Sequence, residues 1–237
     1  GIKTTENYEG NLNFADDEGY KVYNLGSSTV ESSYDVSTSL ASRYLGNIYS
    51  VESGSIIKYT ISGDGAESST WAEDPSILTN AKDIVVSYSI YVATAQNELA
   101  IYTSGEKSNF SLSGLDKPLS NLVSMAANQN YENIYLADAG NNRVVVTDNE
   151  GNFVKQIKAE EEGSWSDIKS IDVSADESVL YILSGSKVYE VDLTQANPPQ
   201  PAGPTEPESE AEEETEEIIN ADETTDVIET EGTADQS

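Results

Sequence analysis

The chain has 237 residues, of which 43 are acidic and 12 are basic, and its formal net charge is −31 at neutral pH. It contains no cysteine and no histidine, which excludes disulfides, thiolate chemistry, and the commonest general base and metal ligand. The missing histidine counts against an enzyme, although catalysis by carboxylates stays open.

The negative charge also limits the classes of partner. An acidic surface repels the phosphates of nucleic acids and of anionic membranes. No apolar run approaches the ~20 residues that a membrane-spanning helix needs. We therefore predict no nucleic-acid partner and no direct membrane insertion by this chain, and nothing in the sequence predicts a cofactor or a metal site.

Five similar segments follow one another along the chain, and the first two are short. The first and faintest spans 12–24 with a turn at Glu18-Gly19, and the second spans 48–59 with a turn at Ser53-Gly54. Apolar residues alternate with other residues at period two, as a pleated strand requires, and glycine occupies both turns. Each segment predicts a pair of antiparallel strands.

The third segment repeats this plan with a longer outer part. It begins at Ile90, has turns at Gln96-Asn97 and Ser104-Gly105, and is predicted to end in an outer strand at 110–113. Because asparagine and glycine tolerate a positive φ, these pairs favour tight turns between strands.

The fourth segment, 134–158, is the clearest. It reads as three strands separated by turns at Gly140-Asn141 and 149–151, where the residue types tolerate a positive φ. The fifth, 180–191, has two strands around Gly185-Ser186. A lone meander of this size is marginally stable in water, so the segments are predicted to pack on one another.

The spacing of these segments predicts a β-propeller. They start near 12, 48, 90, 134 and 180, and further apolar strands precede three of them at 84–86, 122–125 and 168–173. Four strands recurring every ~40–50 residues are typical of propeller blades. The sequence thus predicts an all-β domain over 1–194, with four-stranded antiparallel blades and the added strand innermost.

The number of blades stays open at this point. The five repeats fit a five-bladed ring, or five blades of a six-bladed ring. The last repeat lacks a fourth strand, which residues 2–5 could supply; alternatively, those residues are the remnant of another blade.

The composition changes beyond residue 194. Residues 1–194 carry 29 acidic and 12 basic side chains, giving −17, whereas 195–237 carry 14 acidic and no basic ones, giving −14. Proline, glutamate and threonine dominate this tail. Such low hydrophobicity and high charge predict a disordered segment without a packed core.

The fourth segment resembles an NHL repeat. The likeness lies in 134–138, in Asn141-Asn142-Arg143-Val144, and in Asp148 with Gly151. More loosely, 114–121 and 184–189 resemble the propeller region of uncharacterised bacterial proteins that are tethered to the membrane and carry an upstream phosphatase-like domain. The NHL resemblance implies a propeller, for which a six-bladed, TolB-like ring is one of the two forms considered. The looser resemblance implies an extracellular or cell-surface location, and a cytoplasmic location stays open.

One face of the propeller is predicted to hold the binding site. In a four-stranded blade, the turn between the second and third strands lies at the same end as the crossing to the next blade. This places the following candidate residues on one face: Trp71, Asp138, Asn141, Asn142, Arg143 and Trp165. Aromatic side chains on loops over a rigid scaffold are typical of binding faces.

Each candidate also has a purely structural interpretation. Trp71 and Trp165 could fill the grooves between adjacent blades. Asp138 and Arg143 could form an ion pair within their turn, and Asn141 and Asn142 could be turn residues. The sequence favours these structural roles over catalysis for the turn residues.

Two functions from different classes follow from these patterns. The first is a non-enzymatic binding or scaffold propeller for a protein, peptide or glycan, as part of a larger surface-tethered bacterial protein. The alternative is a carboxylate- or Ca²⁺-dependent hydrolase or lyase whose site lies in the central channel, where Asp83, Asp167 and Asp172 are expected. The sequence predicts neither the ligand nor the oligomeric state.

Overall fold

A computed structural model describes residues 4–8, 11–16, 18–36, 40–161 and 163–194. Two units can be distinguished, Gly1–Pro201 and Ala202–Ser237, and every described residue belongs to the first. The predicted tail, 195–237, lies outside the described residues. In the described part of the chain, no helix combines the length and the apolar character needed to cross a membrane.

Five antiparallel sheets make up the described structure, and we number them as blades. Blade 1 contains β1 (Thr4–Tyr8), β2 (Asn11–Asp16), β3 (Gly19–Asn24) and β4 (Thr29–Tyr34). Blade 2 contains β5 (Ala41–Tyr44), β6 (Asn47–Glu52), β7 (Ser55–Ser62) and β8 (Gly65–Glu73). A short helix, α1 (Pro75–Leu78), lies in the crossing to the next blade.

The other three blades follow the same order. Blade 3 contains β9 (Asp83–Val86), β10 (Ile90–Ala93), β11 (Leu99–Thr103) and β12 (Glu106–Lys107). Blade 4 contains β13 (Leu122–Ala126), β14 (Asn133–Asp138), β15 (Arg143–Asp148) and β16 (Phe153–Lys158). Blade 5 contains, within the described residues, β17 (Ile168–Val173), β18 (Val179–Ser184) and β19 (Lys187–Asp192).

The blades are arranged as a β-propeller, which confirms the predicted architecture. Strands that follow one another in sequence are neighbours in each sheet. The first strands β1, β5, β9, β13 and β17 lie next to one another in that order, so they are innermost.

The period-two pattern fills the gaps between blades. Along β15, Val144 and Val146 pack into the apolar cluster shared with blade 5, together with Leu180 and Ile182. Val145 points the other way and joins the cluster shared with blade 3. Because successive side chains of a strand point to opposite faces, one fully buried strand contributes to two cores.

Side chains connect the innermost strands of neighbouring blades. The Ser42 hydroxyl oxygen accepts a hydrogen bond from the Val86 amide at 3.3 Å. Asp83 Oδ2 accepts one from the Met125 amide at 2.9 Å, and Ser124 Oγ accepts one from the Ile171 amide at 3.3 Å. These bonds satisfy backbone donors that face a neighbouring blade instead of a partner strand.

Two predictions about strands are wrong. The outer strand of blade 3 is β12 and not 110–113. Gly105, with φ +87°, turns the chain immediately into β12. Phe110 and Leu112 pack against the core between blades 3 and 4, and Ser113 bridges to Asn152 of blade 4.

The N-terminal residues also differ from expectation. Thr4 and Thr5 belong to β1, where they pair with Ala15 and Phe14 of blade 1. They supply neither a fourth strand for blade 5 nor the remnant of a further blade. The first blade needs an innermost strand like the others, and β1 is that strand. Ile2 and Lys3 lie outside the described residues.

Asp83 should make the stability of this domain depend on pH. Burial raises the pKa of Asp83 to about 6, although hydrogen bonds from Met125, Ile84 and Ser124 act in the opposite direction. The folded state therefore holds this proton more tightly than the unfolded state. Protonated Asp83 therefore stabilises the folded state fully below pH ~4, and this stabilisation is lost as the pH rises through about 6.

We predict that Asp83→Asn removes this dependence. The free energy of unfolding of the variant minus that of the native chain should increase by about 1–2 kcal/mol between pH 4 and pH 7. This value is smaller than the full pKa shift would give, because Asp83 is partly exposed to solvent. Urea unfolding at both pH values measures it, with exposed Asp64→Asn as the control. A difference that stays constant, or that changes in the opposite direction, would contradict this role.

Candidate functional site

The residues predicted for the binding face lie in three places. Asp138, Asn141, Asn142 and Arg143 surround the turn between β14 and β15. Trp165 lies in the segment between β16 and β17, and Trp71 lies on β8 of blade 2. We call the side that carries the turns between second and third strands, and the crossings between blades, the crossing-loop face.

Arg143 is the centre of a buried polar cluster. Its side chain is 1% exposed and donates from Nε to Asp138 Oδ2 at 2.9 Å. Nη1 donates to Asp116 Oδ1 and, at 3.2 Å, to Gln156 Oε1, while Nη2 donates to the Lys117 carbonyl oxygen at 2.6 Å. The guanidinium group thus ties blade 4 to the loop that enters it from blade 3.

Asp138 completes this cluster from the other side. Its Oδ1 accepts bonds from the backbone amides of Ser120 and Asn121, and its Oδ2 accepts from Asn141 Nδ2 at 2.7 Å. Burial alone would raise the pKa of Asp138, but hydrogen bonds from Asn141, the Ser120 amide and Arg143 outweigh it, so the pKa is lowered. The carboxylate therefore stays charged and paired.

The turn itself departs from the expected geometry. Positive φ was predicted at Gly140-Asn141, but residues Ala139–Asn141 form a 3-10 turn and Asn142 adopts the left-handed conformation, with φ +51°. Glycine is needed at 140 for a different reason. A Cβ there would lie 2.7 Å from Cβ of Ser120, so the turn packs directly against the crossing loop.

Asn142 connects this turn to the next crossing. Its side-chain amide faces the carbonyl oxygens of Ala139 and Trp165 at 3.1 Å each, and only the nitrogen can donate to both. The Trp165 side chain is 4% exposed and packs in the core between blades 4 and 5. Trp165 thus occupies the groove between blades.

Trp71 is separate from the other five residues. It is partly buried beside the core that blade 2 shares with blade 3. Its ring makes an edge-to-face contact with Tyr49, with the ring centroids 6.0 Å apart. The structure therefore brings Asp138, Asn141 and Arg143 into one cluster, joins Asn142 to the Trp165 backbone, and leaves Trp71 with Tyr49.

The opposite side of the propeller carries residues that the sequence analysis missed. Leu45 and Tyr88 are 73% and 75% exposed, and each lies at the tip of the turn after an innermost strand, in blades 2 and 3 respectively. Leu45 also adopts φ +47°, an unfavourable conformation for a bulky residue. The signal was an apolar residue where Asn, Asp or Gly is usual.

Gln129 of blade 4 joins these two tips. Tyr44 donates from its hydroxyl group to Gln129 Oε1 at 3.1 Å, and the Gln129 amide donates to Ser87 Oγ at 2.8 Å. Tyr44 precedes Leu45 and Ser87 precedes Tyr88, so both exposed side chains flank one hydrogen-bonded centre. We call Tyr44, Leu45, Tyr88 and Gln129 the rim.

A polar cavity of about 430 Å³ lies on the same side between blades 4 and 5. Its lining comprises Asn130, Glu132, Asn133, Tyr135, Lys155, Ala175, Asp176, Glu177 and Leu193. Glu177 accepts bonds from the amides of Glu132 and Asn133 and from the Tyr135 hydroxyl group. Burial and this bond to Glu177 raise the pKa of Tyr135.

The carboxylates expected in the channel have other contacts. Asp83 bonds the backbone of β13, and Asp167 lies 3.5 Å from the ammonium group of Lys169. Burial raises the pKa of Asp172. Throughout the residues that the structure describes, no three acidic side chains converge in a way that could hold a metal ion.

Comparison with known proteins supports the fold. No protein-family model and no curated protein matches the sequence. Among similar solved structures is PorZ, an essential bacterial surface component of the type-IX secretion system of Porphyromonas gingivalis. The identity is 10% and the TM-score 0.52 over 83% of this chain, which spans only 26% of the PorZ chain.

Two further structures are similar to this chain. A streptogramin B lyase matches at 12% identity and a TM-score of 0.54, covering 82% of this chain and 69% of the lyase. The hydrazine synthase of Kuenenia stuttgartiensis matches at 14% identity and a TM-score of 0.54, covering 78% of this chain and 81% of the other. At such low identities the likeness shows the propeller fold alone.

We predict that Arg143→Met destabilises the domain by about 3–5 kcal/mol, because it leaves Asp138 buried without its charged partner. Urea unfolding at neutral pH measures the loss. The matched control is Lys169→Met, which removes an exposed cation paired with Asp167 and should change the free energy by less than about 1 kcal/mol. Similar small losses in both variants would show that the cluster does not anchor the loop.

Proposed function

We propose that this chain is a non-enzymatic binding or scaffold propeller that recognises a polypeptide through the rim. The observation that carries this proposal is the exposure of Leu45 and Tyr88 on adjacent turn tips, held in place by the bonds of Tyr44 and Ser87 to Gln129. Rigid turns that present apolar side chains to solvent are suited to binding a partner.

The conformation of Leu45 supports a role outside the fold. A left-handed conformation costs a residue with a Cβ roughly 1 kcal/mol, and asparagine or glycine would reduce that cost. The Leu45 side chain gains little burial in return, since it is 73% exposed. Unfavourable backbone conformations of this kind cluster at functional sites.

A polypeptide fits the rim better than a glycan does. Tyr44 and Tyr88 combine a large apolar ring with a hydroxyl group, which suits the centre of a protein interface. Leu45 offers only aliphatic surface, which the apolar side chains of a polypeptide cover better than a polyhydroxylated ligand does. The residues predicted on the crossing-loop face have an indirect role in this proposal. The cluster of Arg143 and Asp138 keeps the scaffold rigid and does not contact the ligand.

The wider setting is also proposed here. We place the chain in a larger, surface-tethered bacterial protein with a six-bladed, NHL-like propeller. PorZ is a bacterial surface component with a similar fold, and this chain spans about a quarter of it. The NHL resemblance and the upstream phosphatase-like domain stay predictions.

The proposal can be tested with a random dodecapeptide library displayed on phage and panned against the full chain. We expect peptides whose affinity falls at least about tenfold for the variant Leu45→Asn/Tyr88→Ser, as truncation of interface hot spots does. Thermal unfolding should show no loss of stability in that variant, since asparagine tolerates the backbone conformation at position 45.

The matched control is Leu25→Asn/Tyr181→Ser, which makes the same chemical changes at exposed positions on blades 1 and 5. Its affinity for the selected peptides should equal that of the native chain. Equal affinities of the rim and control variants, or recovery of no peptide, would contradict the proposal.

A further inference from the structure

The rim continues directly into the cavity between blades 4 and 5. Gln129 belongs to the rim, and its neighbour Asn130 lines the cavity together with Glu132 and Asp176. Because Gln129 is hydrogen-bonded to Tyr44 and Ser87, the neighbours of Leu45 and Tyr88, Asn130 places the edge of the cavity beside the rim. The two features form one surface on the side opposite the crossing-loop face.

The cavity carries an excess of negative charge. Its lining has three carboxylates, those of Glu132, Asp176 and Glu177, and one ammonium group, that of Lys155. Hydrogen bonds from Ser174 and Ser178 lower the pKa of Asp176 to about 2, so this carboxylate is ionised at all physiological pH values.

The three carboxylates differ in how many hydrogen bonds they accept from within the protein. Glu177 is occupied by backbone amides and by Tyr135. Asp176 keeps its charge while bonding the turn of Ser174 and Ser178. Glu132 is exposed, and within the described part of the chain its carboxylate accepts no hydrogen bond. Glu132 and Asp176 are therefore the groups available to a ligand.

We infer that the partner of the rim is a basic polypeptide segment, which places apolar side chains on Leu45 and Tyr88 and an arginine or lysine side chain in the cavity against Glu132 and Asp176. This inference rests on the proposed function. Charge complementarity favours a basic partner, because residues 1–194 have a net charge of −17. A second copy of the chain or an acidic segment would be repelled.

The expected contacts have two different physical roles. The apolar contacts on the rim supply most of the affinity, because they remove Leu45 and Tyr88 from water. The charged contact at the cavity selects basic over neutral or acidic segments and raises the association rate. Binding should accordingly weaken as salt is added, since screening acts on the exposed Glu132.

The experiment uses the same panned dodecapeptides and the full chain. We expect selected peptides to be enriched in arginine and lysine over the unselected library. Because 195–237 carry 14 acidic and no basic residues, this segment also attracts basic peptides electrostatically. Every variant retains residues 195–237, so their contribution to the affinity is constant. A difference in affinity between variants therefore reports on the rim and the cavity.

Two variants with the same change in net charge separate the cavity from general attraction. Glu132→Gln/Asp176→Asn alters the cavity, and Asp64→Asn/Glu106→Gln removes two exposed carboxylates from blades 2 and 3. We expect the cavity variant to bind selected peptides about tenfold more weakly and the control variant to bind them within twofold of the native chain. Replacing the peptide's arginine by citrulline should abolish this difference.

The possible outcomes distinguish the inference from the proposed function. Binding lost in the rim variant but retained in the cavity variant would overturn the basic partner and leave the polypeptide-binding function standing. Binding retained in both would overturn both. Selection of neutral or acidic peptides would contradict a basic partner. Competition between the peptides and self-association of the chain would indicate that a second copy of the chain is the partner.

Discussion

The structure depends on how the innermost strands of neighbouring blades satisfy their backbone amides. These strands face one another across blade boundaries, where no backbone ladder forms between the described blades. The hydroxyl oxygens of Ser42 and Ser124 and the carboxylate of Asp83 accept the amides of the next blade instead. Each short polar side chain therefore links the innermost strand of one blade to that of the next, beside the apolar clusters that the blades share. A carboxylate at one of these positions makes the assembly sensitive to pH, because burial raises the pKa of Asp83.

The two sides of the propeller use their polar groups differently. On the crossing-loop face, Arg143 and Asp138 bond Asp116, Lys117, Ser120 and Asn121 and thus hold the loop at 116–121 against blade 4. On the other side, the hydrogen bonds of Tyr44 and Ser87 position the turns but leave the Leu45 and Tyr88 side chains in solvent. A face whose groups are used internally is suited to stability, and a face that presents unburied apolar groups from fixed turns is suited to recognition.

The sequence predicts those features that depend on local pattern. The period-two alternation and the glycine turns predict the blades, and the positions of Asp138 and Arg143 on either side of one turn predict an ion pair. Features that depend on distant segments are missed. Asp116 and Lys117 join Arg143 from 27 and 26 residues away, respectively, and Phe110 leaves the sheet because it packs between blades 3 and 4. Leu45 and Tyr88 have a local signal, an apolar residue at a turn position, but the link between their turns through Gln129 joins three blades and no single repeat encodes it.

The most direct test is to map where a selected peptide contacts the chain, by NMR chemical-shift perturbation of the backbone amides of the full protein. We predict that the largest changes occur at 44–46, 87–89 and 129–132, on the rim and the adjoining cavity. The amides at 138–142 and 164–166 should stay unchanged, because the Arg143 cluster and Trp165 serve the fold. Changes concentrated at 138–142 and around Trp71 and Trp165, with none at 44–46 or 87–89, would contradict this account and place recognition on the crossing-loop face.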